Sequence, residues 1–281
     1  MYTSTQIKLS DHEFKLISNL IFERFGIVLT EKKKSLIVSR LHKLLIKDGF
    51  STFKDYYNYI VTDKSGKALS LLIDKLSTNY TYFFREKDHF EYLSHQVFPE
   101  LKIKLEQKQI STIRLWSAGC SSGEEPYTLS MLLDQYFSNQ LDSIDAGILA
   151  TDISSHVLQI SNAGIYGIER IKPLPENLKK KYLIKIGKEN WQFNERVKRL
   201  LLFKRLNLMR SEYPFKGKFD VIFCRNVMIY FDSKTRDEIV QRFSRYLNPG
   251  GYLFIGHSET LGRSNPHFRY IQPAVYRKFD D

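Results

Sequence analysis

The stretch WSAGCSSGEEPY, Trp116 to Tyr127, places two adjacent carboxylates, Glu124 and Glu125, directly behind a glycine loop. Such a pair can be surface charge, a metal ligand set, an acid for proton transfer or a clamp on a cationic ligand. A shared metal is disfavoured, because adjacent helical residues point in different directions and no His or Cys stands nearby at ligand spacing. Attraction to the positive end of the helix they open accounts for one of the two. A third acid, Asp152, closes the apolar run DAGILATD, and an acid at the end of the second strand is the usual partner of ribose hydroxyls in nucleotide-type sites. Gly119 and Gly123 permit close backbone approach, although such turns also use glycine for packing alone. Loop, acid and strand order together point to an adenosine-containing ligand.

Missing features narrow that ligand. The chain has no GxxxxGK[ST] to cradle a triphosphate and no three-glycine fingerprint for a pyrophosphate. Two carboxylates at the helix start would repel a pyrophosphate in any case. They suit cationic groups, and S-adenosyl-L-methionine carries a sulfonium, an ammonium and a ribose. The reading is a methyl-donor site with Glu125 holding the donor and Glu124 serving the helix terminus.

The elements that must position these residues are legible from periodicity. TIRLWSAG, DAGILATDIS, KFDVIFCRN and GYLFIGHSE are short, apolar and rich in β-branched or aromatic residues, with helical patterns between them. Near-continuous apolar strands alternating with helices predict a mainly parallel sheet covered on both faces, a doubly wound α/β domain. AVYRKF reads as its last strand. Between 165 and 205 the alternation breaks, and YLIKIG and WQFNERVKRLLLF, separated by KEN, read as an inserted antiparallel hairpin. The opening 80 or so residues repeat apolar side chains every three to four positions, as in Phe14, Ile17, Leu20, Ile21 and Phe25, and predict a small helical bundle. Gly26 and Gly49 read as helix stops and Ser51 as the cap of a third helix.

Composition bounds the class. With 281 residues and 42% hydrophobic content, the chain can bury a core without staples. Its two cysteines, Cys120 and Cys224, lie far apart in apolar strand-like surroundings, which suits a reducing compartment and makes the cytoplasm the expected location. No basic-then-apolar leader opens the sequence, and no apolar run approaches the roughly 20 residues that span a bilayer. The formal net charge of +12 favours an acidic partner without choosing between nucleic acid, an anionic membrane face and a protein.

STNYTYFFREKDHF (77–90), WSAGCSSGEEPYTLSMLL (116–133), ATDIS (150–154), RLNLM (205–209), FCRNVMIYFD (223–232) and GHSE (256–259) together resemble the CheR-type chemotaxis receptor methyltransferases. These motifs occur in the family's order over most of the chain. The glycine loop departs from its relatives in reading SS where Thr, or Ala and Thr, is common; Ser122 keeps a hydroxyl. The resemblance implies a Rossmann-like S-adenosylmethionine-dependent methyltransferase sheet (86–281), an N-terminal helical domain (1–85) and a small inserted antiparallel β-subdomain (165–205). It implies methylation of glutamate side chains on the cytoplasmic domains of methyl-accepting receptors, with S-adenosyl-L-homocysteine as product. It further implies that Asn79, Thr81 and Arg85 stand at the cofactor and substrate site and that Gly119, Glu125 and Asp152 hold the cofactor. By the same resemblance Asn207 and Leu208 flank the adenine, Arg225 and Asn226 close the pocket, and Tyr230 lies near the reacting methyl. In some relatives the β-subdomain also grips a receptor C-terminal peptide. The expected protein is a monomer that binds no metal and no nucleic acid and does not insert in a membrane.

The chemistry implied is economical. A glutamate with a pKa of roughly 4.3 is already ionised near neutral pH, so no general base is required. Alignment does the work, and effective-molarity effects can be worth about 7–11 kcal/mol. Arg85 can hold a carboxylate in fixed geometry, or it can bridge to Glu86 or Asp88. Tyr230 can touch the methyl region or fill the core beneath its helix. Arg40, Lys43 and Lys47 share a helical face that could steer acidic receptor helices. Two rivals remain: a nucleic-acid methyltransferase, which usually carries an Asp/Asn/Ser-Pro-Pro-aromatic motif where this chain has CRNVMIY, and a docking or cofactor-sensing module of the same fold without turnover.

Overall fold

The apolar repeat of the first segment forms helix α1 (Asp11–Phe25), and Phe14, Ile17, Leu20, Ile21 and Phe25 are all buried. Ser10 opens it with a capping box: its Oγ accepts the Glu13 N–H while the Glu13 carboxylate accepts the Ser10 N–H. Gly26, at φ 71°, ends it in the left-handed conformation that glycine tolerates. Helices α2 (Lys34–Lys47), α3 (Phe53–Thr62) and α4 (Lys67–Leu76) complete a bundle around its own apolar core. The cap of α3 is Thr52, one residue beyond Ser51, and its Oγ1 accepts the Asp55 N–H. The computed structural model describes residues 7–138, 140, 141 and 143–280, so 1–6 and 281, the ends of the two expected domain ranges, lie outside the described residues.

The chain crosses out of the bundle earlier than residue 85. The helical core ends at Leu76, and Phe83 already packs on Tyr166 and Phe193 of the second half. After α5 (Lys87–Tyr92) and α6 (Phe98–Glu106) come strand β1 (Thr112–Ala118), helix α7 (Glu124–Phe137), strand β2 (Asp145–Asp152) and helix α8 (Ser155–Ala163). Strand β3 (Ile165–Gly167), helices α9 (Ile168–Ile171) and α10 (Glu176–Tyr182), strands β4 (Leu183–Ile186) and β5 (Asn190–Phe193), and helix α11 (Glu195–Lys198) follow. Then come β6 (Leu201–Arg205), β7 (Phe219–Cys224), α12 (Ser233–Tyr246), β8 (Leu247–Ile255), β9 (Phe268–Gln272) and β10 (Val275–Lys278).

The main sheet runs β6-β2-β1-β7-β8-β10-β9; the first five strands are parallel, and β10 is antiparallel to both neighbours. Apolar cores cover its two faces, as the near-continuous apolar strands require. The hairpin read across 182–203 is present as β4–β5, and β3 extends it to a three-stranded antiparallel sheet. LLFKR belongs elsewhere. The turn of helix at Glu195–Lys198 breaks the apparent strand, and β6 pairs in parallel with β2 at the main sheet's edge. The inserted unit therefore ends before Leu201, not at 205. Strand β9 (FRYIQ) has no apolar run longer than Tyr270 and Ile271 and is recruited by pairing with β10.

Candidate active site

The strand order reverses between β1 and β7, and open parallel sheets bind ligands outside the carboxyl ends of the strands at such a point. A cavity of about 360 Å³ occupies it, within the roughly 300–1,000 Å³ typical of small-molecule sites. The loops after β1, β2, β6 and β7 line it together with the 77–85 segment and the α1–α2 connection. Asn79, Thr81, Arg85, Gly119, Glu125, Asp152, Asn207, Leu208, Arg225, Asn226 and Tyr230 all face this one space.

The glycine loop is shaped mainly by its own packing. Gly119, Ser121 and Gly123 have φ of 82°, 50° and 100°. A β-carbon on Gly119 would stand 2.4 Å from Val227 Cγ2, and one on Gly123 would stand 2.6 Å from the Tyr166 hydroxyl. The turn so formed aims the Ser121 N–H at Asp152 Oδ2 (2.8 Å), while Ser154 N–H meets Oδ1 at 2.9 Å. Burial raises the Asp152 pKa and these backbone donors pull it back.

The adjacent glutamates diverge. Glu125 accepts the Ser117 hydroxyl at 2.6 Å and its other oxygen lies 3.6 Å from Arg225 Nη1, on the cavity wall. Burial raises its pKa, with Arg225 the leading opposing charge. Glu124 is 1% exposed. It pairs with the Arg170 guanidinium of α9 and accepts Ser122 Oγ at 2.9 Å, so it ties the small β unit to the glycine loop. Burial raises its pKa also, against the pull of Arg170.

Arg225 organises the centre. Its guanidinium, 6% exposed, donates to the Arg85 carbonyl, lies 3.3 Å from Glu86 Oε2 and sits 5.2 Å above the Phe90 ring. Its Nε and Nη1 have no hydrogen-bond partner among the described residues. Free guanidinium donors beside a buried carboxylate suit a zwitterionic amino-acid group, and Asp152 suits a ribose, so the donor set fits S-adenosylmethionine. Asn226, at φ 58°, donates through Nδ2 to Glu86. Phe84, Glu86, Ser121 and Asn226 make up four of the six non-glycine residues at positive φ among the described residues, and they gather here; strained backbone of this kind concentrates at functional sites.

Arg85 takes neither of the bridges its neighbours offer. Glu86 pairs with Arg225, and Asp88 with His257 at 3.0 Å. The Arg85 guanidinium donates to the Tyr80 carbonyl at 2.7 Å and forms no ion pair among the described residues. Asn207 lines the cavity, but its Nδ2 donates to the Arg24 carbonyl at 2.8 Å and fastens α1 to the loop after β6. The Tyr230 carbonyl accepts the Val28 N–H at 2.8 Å, and Ile27 bridges Phe231. The helical domain is thereby part of the cavity wall.

Glu259, within GHSE, is a structural contributor that side-chain patterning could not reveal. It is 8% exposed and accepts the backbone N–H groups of Gly256, Asn226 and Ile229, fixing the loop after β7. Arg40 also differs from expectation: its Nη1 donates to the Leu76 and Ser77 carbonyls, both at 2.7 Å, and so caps α4.

Residues 79–277 match the family model "CheR methyltransferase, SAM binding domain", and residues 12–77 match "CheR methyltransferase, all-alpha domain". The chain is 47% identical over 272 residues to the chemotaxis protein methyltransferase of Borreliella burgdorferi, covering 97% of this chain and 96% of that protein. It is 40% identical to the probable chemotaxis protein methyltransferase of Rhizobium etli, over 92% and 96% of the two chains. With chemotaxis protein methyltransferase 1 of Pseudomonas aeruginosa it shares 38% identity over 94% and 97%.

Proposed function

The chain belongs to the CheR methyltransferase family and is an S-adenosylmethionine-dependent methyltransferase, and from that premise we propose that it esterifies glutamate carboxylates on chemoreceptor cytoplasmic helices. S-adenosylmethionine supplies an electrophilic methyl carbon on a positively charged sulfur. Glu125 and Asp152 would receive its cationic and ribose groups, Arg225 and Asn226 would close the pocket around it, and Leu208 would flank its adenine. The substrate carboxylate enters already ionised.

The observation that carries the reading is Arg85, a guanidinium on the cavity wall with no carboxylate of its own among the described residues. A guanidinium so placed can orient an incoming carboxylate bidentately while remaining charged. Among the described residues no histidine lines the cavity, which is consistent with a nucleophile that needs no proton removed. Tyr230, half-buried in the same wall, borders the space the two reactants share.

The partner is an acidic receptor helix. Lys43 and Lys47 stand exposed on α2 and support a steering role that Arg40, committed to α4, does not share. The edge strand β4 leaves Ile184 and Ile186 exposed, and such an edge can take up an extended receptor tail as a further strand. Among the described residues no helix is long and apolar enough to cross a membrane.

The test is label transfer from methyl-labelled S-adenosylmethionine to receptor cytoplasmic fragments and to DNA and RNA. Base-labile counts on the receptor support a carboxyl ester, and stable counts on nucleic acid would overturn the reading. Arg85→Ala is expected to abolish transfer while sparing cofactor affinity.

A further inference from the structure

The 77–82 segment lies outside any helix or strand, and exposure alternates along it: Asn79 and Thr81 are partly buried while Tyr80 and Tyr82 face outward. Tyr80 is 71% exposed, unusually so for a large aromatic, and neither tyrosine belongs to any of the four apolar cores. The fold makes little use of these rings. They meet edge to face at 5.9 Å, and the Arg85 guanidinium lies 5.6 Å from the centre of the Tyr80 ring while donating to the Tyr80 carbonyl. Val28 from the helical domain and Ile229 from the loop after β7, both exposed, line the same cavity. The cavity mouth is thus an apolar collar carrying a guanidinium, with the Lys33 side chain also on its lining.

Resting on the glutamate-ester reading, we infer that Tyr80 is a positioning residue. Its ring holds the Arg85 guanidinium at the mouth, and with Tyr82 it seats the amphipathic acidic helix that presents the glutamate. The chemistry matches such a partner: a glutamate on a helix arrives with its i±3 and i±4 neighbours on the same face, so the ion pair with Arg85 forms while neighbouring apolar side chains cover the collar. An unstructured acidic chain has no such neighbours to offer. A cation held over an aromatic face keeps its charge and loses rotational freedom, which favours one carboxylate geometry.

Steady-state methylation of the cytoplasmic fragment of a chemoreceptor encoded in the same genome, by wild type, Tyr80→Ala and Tyr80→Phe, tests this. Calorimetric binding of S-adenosylhomocysteine and thermal melts are measured in parallel. Tyr80→Ala is expected to raise KM for the fragment about fivefold and to lower kcat, the size expected from losing one cation–π contact. Cofactor affinity and melting midpoint should stay unchanged, and Tyr80→Phe should restore both constants because the ring is retained. Unaltered kcat/KM in Tyr80→Ala, or equal impairment of Tyr80→Phe, overturns the inference alone. A wild type that places no base-labile methyl on the fragment overturns the glutamate reading and this inference with it.

Discussion

Replacing Glu125 with Gln is the sharpest probe of the proposed cofactor site, because it removes one charge and almost no volume. The amide oxygen can still accept the Ser117 hydroxyl that now lies 2.6 Å from Oε1. Arg225, 3.6 Å from the other oxygen, keeps Glu86 as its counter-ion. Burial already disfavours the ionised form of Glu125 in the free protein, so the neutral variant should melt no lower than wild type. The loss falls on the ligand. Two unit charges 4 Å apart attract by about 4 kcal/mol at an effective dielectric near 20, and a hydrogen bond to a charged group is worth about 1.5–3 kcal/mol net. The smaller range is the relevant one, because part of the attraction is spent ionising a carboxylate whose pKa is raised. It corresponds to a dissociation constant roughly 10- to 150-fold weaker. Calorimetry with S-adenosylmethionine and S-adenosylhomocysteine locates the contact: both carry the ammonium and only the first carries the sulfonium. Equal losses assign Glu125 to the ammonium, and a larger loss for S-adenosylmethionine assigns it to the sulfonium. Wild-type affinity should also fall as pH drops through the raised Glu125 pKa, where a proton competes with the cation, and this acid limb should flatten in the variant. A change below about threefold for both ligands would refute the assignment.

Three further outcomes follow from charged and titratable side chains elsewhere in the structure. His89 is fully buried, and burial with Arg225 lowers its pKa from 6.5 to about 4; the unfolded chain therefore takes up the proton first, and stability should decline as pH falls from about 6.5 towards 4, by about 3 kcal/mol in all. Chemical denaturation should show this slope reduced in His89→Gln, because the raised carboxylates that oppose it are common to both proteins. Arg40→Ala should cost about 1.5–3 kcal/mol of stability by freeing the carbonyls at the end of α4, whereas Lys43→Ala and Lys47→Ala should leave thermal melts unchanged and weaken receptor binding, increasingly so at low salt.

Local pattern was enough for much of the architecture. The three-to-four spacing from Phe14 to Phe25 marks α1, and Gly26 marks its end, because both depend on residues within a few positions of one another. The β4–β5 hairpin was readable for the same reason. LLFKR was misassigned because a short apolar run, here Leu200 to Phe203, looks alike in a hairpin and in a sheet edge; its partner Ile148–Asp152 is chosen by topology. Residues 77–85 fell inside the range expected for the helical domain, yet they leave the bundle and form a wall of the site, with Phe83 buried against Tyr166 and Phe193.

The site divides along the same line. That Glu125 and Asp152 would stand together on one cavity was legible because strand ends and helix starts are local features. That Glu124 and Glu125 diverge followed from their adjacency on a helix, but the ion pair of Glu124 with Arg170, 46 positions away, was not legible. Nor was the grouping of Arg225 with Arg85 and Glu86, about 140 positions distant, or the diversion of Arg40 to the end of α4. Sequence alone determined which chemical groups stand at the ends of the strands. Tertiary structure alone decided which charges are spent on one another and which, like Arg85, are left facing the cavity, because ion-pair partners are selected by packing in space.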